Sequence, residues 1–82
     1  MPDWYEDAAK RFIEAAKTDL SLYREILRAI EQIRRNPLVG DLIMPDFRVY
    51  HDPQGRFWLT YNFNPHIKQE EKQLLIVNLT LH

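Results

Sequence analysis

The stretch "FRVYHDPQGRFWLTYNF", residues 47–63, reads as two strands around a tight turn. Asp52-Pro53-Gln54-Gly55 fits a type I turn, with proline at its second position and glycine where a positive φ makes a bulge. Pairing Asp52 with Arg56 sets His51 against Phe57, Tyr50 against Trp58, Val49 against Leu59 and Phe47 against Tyr61. Side chains alternate along a strand, so this register gives each face one character. Phe47, Val49, Phe57, Leu59, Tyr61 and Phe63 share an apolar face turned to the core. Arg48, Tyr50, Trp58, Thr60 and Asn62 share the other.

Two helices are expected before the hairpin. "DWYEDAAKRFIEAAKTD" begins after Pro2, and Asp3 and Glu6 stand at capping-box spacing. Its apolar stripe is Tyr5, Ala8, Ala9, Phe12, Ile13 and Ala16, with Glu6–Lys10 and Asp7–Arg11 as solvated i,i+4 pairs. "SLYREILRAIEQIRRN" repeats the pattern with Leu22, Tyr23, Ile26, Leu27, Ile30 and Ile33, and Ser21 or Asp19 as its cap. Arg34 and Arg35 suit the last turn, and Pro37 ends the helix. The short link around "TDLS" makes the helices antiparallel neighbours, and "PLVGDLIMPD" crosses to the sheet.

After the hairpin, the polar "NPHIKQEEK" leads to a last strand, "QLLIVNLTLH". Leu75, Val77, Leu79 and Leu81 point to the core; Ile76, Asn78, Thr80 and His82 point away. The expected fold is α+β in the order ααβββ. Its helices span about 3–18 and 20–36 and its strands about 46–51, 56–64 and 73–82, in a single domain with both helices on one face of a three-stranded antiparallel sheet.

The composition bounds the function. The 82 residues suit one small domain, 45% are hydrophobic and only two are glycine, which is a globular composition. Eleven Lys and Arg against twelve Asp and Glu give a net charge of −1, without the basic excess that phosphate backbones attract. With no cysteine, disulfides and thiol chemistry drop out. His51, His66 and His82 lie too far apart to suggest a metal site, and no cofactor motif occurs. No apolar run has the length of a membrane span and the start lacks a signal-peptide pattern, so a cytoplasmic protein is expected.

The order of features resembles the RelE/ParE superfamily of bacterial toxins. "AIEQIRRNPLVGDLI", "FRVYHDPQGRFWLTYNF" and "KQLLIVNLTLH" carry the resemblance, from about residue 5 onwards. Phe47 and Arg48 match the family's "yR" strand, Phe57 and Tyr61 the aromatics of its "yRi.Y" strand, and His82 the start of its terminal "His-Arg" pair. Three departures accompany it. Trp58 stands where the second motif has arginine, no arginine follows His82, and the strand that precedes the helices in the family is expected to be absent. In the family, RelE-like members cut messenger RNA on the ribosome, whereas ParE-like members poison gyrase by protein contact.

Two uses of the polar face follow. Ribonuclease chemistry needs a base, an acid and a cation; His82 and Tyr50 are candidates for base or acid, and Arg48 for the cation. Alternatively, Trp58 and Tyr50, as cross-strand neighbours, form an aromatic platform that anchors a protein partner. With most of the basic residues gone, binding is the expected mode. The binding face is Arg48, Tyr50, Trp58, Thr60, Asn62, Asn78 and His82, and the implied partner is antitoxin-like or a second copy. Either would add a strand to a free sheet edge or cover the aromatic face. A non-catalytic homodimerisation module without toxicity is the competing class, and the same face is also compatible with a plain solvated sheet surface.

Overall fold

A computed structural model describes residues 3–63 and 74–81. The order of elements is β1 (Asp3–Trp4), α1 (Glu6–Thr18), α2 (Leu20–Arg35), β2 (Asp41–Met44), β3 (Phe47–His51), β4 (Phe57–Asn62) and β5 (Leu75–Leu81). They form one sheet in the order β1-β5-β4-β3-β2, in which β2 to β5 are antiparallel and β1 lies parallel to β5. The α+β class and the two helices are as expected, but there are four antiparallel strands, not three. A strand also precedes the helices, contrary to expectation.

Both additions have local causes. "DLIM" is bounded by Gly40 and Pro45, and Pro45-Asp46 turns the chain so that Met44 pairs with Phe47. β1 is only two residues long, and packing holds it. Trp4 stacks on Phe12 at 4.5 Å between ring centroids, and Phe12 meets Tyr23 of α2 at 5.3 Å. Asp3 is therefore spent on a strand, and α1 starts after Tyr5 with no side-chain cap, so the capping box does not form.

The helices bury Ala8 and Ala15 from α1 and Ile26, Ala29, Ile30 and Ile33 from α2. The α1 stripe is narrower than expected, with Tyr5 and Ile13 exposed. Asp19 caps α2: its Oδ1 accepts from the Leu22 amide at 3.0 Å. Its Oδ2 accepts from Arg56 at 3.0 Å, which ties the hairpin turn to the helix junction. Arg11 turns to β5 rather than pairing with Asp7.

The hairpin register differs from expectation by one residue. The turn itself forms as read: the Gly55 amide donates to the Asp52 carbonyl at 2.8 Å, with Gly55 at φ 72°. Asp52 then closes on Phe57, whose carbonyl accepts from the Asp52 amide at 3.1 Å. Arg56 becomes an extra loop residue, and the Asp52 carboxylate takes its amide at 3.0 Å. Consequently His51 pairs with Trp58, Tyr50 with Leu59, Val49 with Thr60, Arg48 with Tyr61 and Phe47 with Asn62.

That slip turns β3 over. Arg48 and Tyr50 face the helices beside Phe57, Leu59 and Tyr61, while Phe47, Val49 and His51 join Trp58, Thr60 and Asn62 on the far side. In β5 a bulge opposite Thr60 and Tyr61 makes another change of phase. Ile76, expected on the outer face, is fully buried with Leu79, and Asn78 and Thr80 lie outside as expected. The connection after Phe63 and the residue His82 lie outside the described residues.

At Gly55 an added methyl group would meet nothing within 4 Å, so only the backbone resists substitution. Gly55→Ala is expected to cost about 1–2 kcal/mol through the left-handed conformation alone, read as a lower urea midpoint with unchanged slope.

Candidate functional site

The proposed polar face divides between the two sides of the sheet. On the helix side, Arg48 sits where β3 passes beyond the end of α2. Its guanidinium donates to the Gly40 carbonyl at 2.8 Å and to the Leu38 carbonyl at 3.4 Å, holding the α2–β2 link against the sheet. Tyr50 is buried, and its hydroxyl donates to Oε1 of Gln32 at 3.0 Å. Burial, followed by the negative charges of Asp52 and Glu25, raises its pKa above the ordinary 10.0. A phenol so placed keeps its proton and cannot serve as a base near neutrality. Its groove against α2, about 230 Å3, is lined by Glu25, Arg28, Gln32, Tyr50 and Asp52 among others.

Behind Arg48 lies Tyr61, fully buried. Its hydroxyl donates to the Pro37 carbonyl at 2.6 Å and accepts from the Gly40 amide at 3.0 Å. Tyr61, Arg48 and Gly40 together fix the exit from α2. The two aromatics of the "yRi.Y" strand, Phe57 and Tyr61, are thus core residues.

On the far side, Trp58 is 41% exposed and stands edge-on to His51 at 4.7 Å. It therefore does not pair with Tyr50, and the expected Trp58–Tyr50 platform is replaced by Trp58–His51. His51 Nε2 approaches Asp41 Oδ2 at 3.5 Å. Thr60 and Asn62 are half-buried along the same face, and exposed Asn78 completes it across β5. Asn78 accepts from Arg11 at 3.1 Å and donates to Thr80 at 3.1 Å.

The candidates thus form two groups rather than one. Trp58, Thr60, Asn62 and Asn78 stay together on the outer face, Arg48 and Tyr50 do not join them, and His82 lies outside the described residues. The residue that sequence reasoning missed on this face is His51, which belongs with Trp58 once the hairpin closes at Phe57. The signal was present in "DPQGR": an acidic residue four before Arg56 can take its amide and admit it to the loop. Among the described residues no three His, Asp or Glu side chains are grouped to hold a metal ion, and no helix is long and apolar enough to cross a membrane.

No family model matches the chain, and no curated protein and no solved structure is similar to it, so the RelE/ParE resemblance stands on its sequence motifs alone.

Proposed function

We propose that this chain is a RelE/ParE-like toxin-superfamily protein of the cytoplasm that acts by binding protein, an antitoxin-like partner or a cellular target, rather than by cutting RNA. The observation that carries this reading is the division of Arg48 and Tyr50 from Trp58 by the sheet itself. A phosphodiester on the outer face would meet neither the guanidinium nor the phenol, which are both committed to the helix side. Proton transfer requires a donor or acceptor within hydrogen-bond reach of the reacting oxygen. The net charge of −1 gives a phosphate backbone no general attraction either.

The outer face suits protein contact. Trp58 and His51 offer an aromatic centre flanked by Thr60, Asn62 and Asn78, which is the mixture of buried anchor and polar rim that interfaces use. Both helices pack on the opposite side, in one core with Phe57, Leu59, Tyr61, Ile76 and Leu79.

The test is induced expression in a bacterial host, with growth and message integrity followed together. Wild type is expected to slow growth while messages stay intact, and Trp58→Ala, with unchanged circular dichroism, to restore growth. Cleaved messages, or a wild type that leaves growth untouched, would overturn the reading.

A further inference from the structure

The two edges of the sheet are finished differently. At one, β1 covers the start of β5, with Asp3 beside Leu75 and Trp4 beside Ile76. Farther along β5, Arg11 reaches over from α1 and donates to the Leu79 carbonyl at 2.9 Å. A cation laid on an edge carbonyl occupies an acceptor that an incoming strand would need. That edge is blunted.

The other edge is β2, and no described element lies beyond it. All four of its residues are exposed. Leu38, Val39, Leu42, Ile43 and Met44 are each between 43 and 59% exposed. Leu42 lies across from Arg48 on the helix side and Met44 across from Phe47 on the outer side, so the edge is apolar on both faces. The bulge between Leu42 and Met44 bends the strand but adds one more apolar side chain, Ile43. The strand carries a single charge, Asp41, at its first position, with His51 3.5 Å away. Natural sheets blunt such edges with lysine, proline or a covering element, and β2 has none of these within it.

We propose that β2 pairs antiparallel with β2 of a second copy of this chain across a two-fold axis, joining the two sheets into one. This rests on the reading of the chain as a protein-contact module, but not on its being toxic. An incoming strand must be apolar on both faces and nearly uncharged, and β2 is itself such a strand. With the axis between Leu42 and Ile43, each Asp41 faces Met44 of the other copy. The two carboxylates then stand at opposite ends, roughly 10 Å apart at about 3.4 Å per residue, where salt screens them. A basic peptide would find a partner only in Asp41 and would set its remaining charges against Leu42, Ile43 and Met44. An acidic one would meet Asp41 with like charge. A stable interface covers about 800 Å2 on each partner. A four-residue strand falls short of that alone, and the exposed Leu38 and Val39, just before it, extend the contact on both copies.

Sedimentation equilibrium of the purified chain across the micromolar range tests this. Wild type is expected to dimerise, and Ile43→Lys to weaken the dimer about 100-fold or more, because symmetry forces two like charges into one apolar strip. Met44→Glu should do the same, and Leu81→Lys, on the blunted side, should leave the dimer intact. All three positions are exposed, so circular dichroism should not change. A wild type that stays monomeric throughout, or a dimer unmoved by Ile43→Lys and Met44→Glu, would overturn the proposal. So would a dimer lost on Trp58→Ala instead, since that places the contact on the outer face. A toxic monomer would remove the dimer and keep the proposed function, whereas a harmless β2 dimer would keep the dimer and remove the toxin reading.

Discussion

Gly40→Ala is expected to destabilise the protein by about 2–3 kcal/mol, at the upper end of what overpacking costs, and to lower the urea midpoint without changing the slope. A methyl group at Gly40 would lie 2.7 Å from the Tyr61 hydroxyl oxygen and 2.9 Å from the Val49 carbonyl oxygen. The first neighbour is fully buried and held by two hydrogen bonds, and the second is backbone of β3, a strand paired on both sides. Neither can retreat cheaply. The only relief is for the α2–β2 link to lift, which would also pull the Gly40 carbonyl from Arg48. Gly40 is therefore small because two strands and a tyrosine converge on it, not because its backbone angles demand glycine.

Tyr61→Phe should cost about 2 kcal/mol, in the range for buried polar groups deprived of their partner. Removing the hydroxyl leaves the Gly40 amide and the Pro37 carbonyl without the hydrogen bonds they make to it. The change in shape is slight, so the loss reports these two contacts. In combination with Gly40→Ala the costs should fall short of their sum, because removing the hydroxyl also removes the 2.7 Å overlap. The rescue remains partial, since the Val49 carbonyl stays in place.

The same hydroxyl gives the protein an alkaline limit. Burial, the largest influence, raises the Tyr61 pKa above 10.0, and Asp41 adds to it, while the Gly40 amide and Arg48 pull the other way. The folded state thus holds a proton that the unfolded chain releases at about its ordinary value. That contribution is fully present below pH 10.0 and is lost as pH rises through the folded pKa. Urea denaturation at increasing pH should show stability falling above that point, and falling less steeply in Tyr61→Phe.

Much of this fold was legible because its signals were periodic. The α2 stripe at Ile26, Ile30 and Ile33 and the alternation of Phe57, Leu59 and Tyr61 each have one oily phase. β3 has two. Phe47 and Val49 in one phase compete with Tyr50 in the other, and the arginine in Tyr50's phase argued for the wrong side. Arg48 faces inward because carbonyls at Leu38 and Gly40 are waiting beyond the end of α2, which no spacing rule reveals. A single additional loop residue, Arg56, then reversed which face was which, and with it the composition of the candidate site. The strand at 3–4 is held by Trp4 against Phe12, a tertiary contact with no local signature. β2 had a signature, an apolar triplet between Gly40-Asp41 and Pro45, but four residues are few enough to read as a connection.

The register of β3 against β4 bears most directly on whether the outer face is a contact surface or a catalytic one. Cross-strand nuclear Overhauser effects in the full chain measure it. The expected result is contact between the His51 and Trp58 rings, 4.7 Å apart, and between Tyr50 and Phe57, at 6.5 Å. Contacts between the Tyr50 and Trp58 rings instead would place Arg48, Tyr50 and Trp58 on one surface. The division on which the protein-binding reading depends would then be gone.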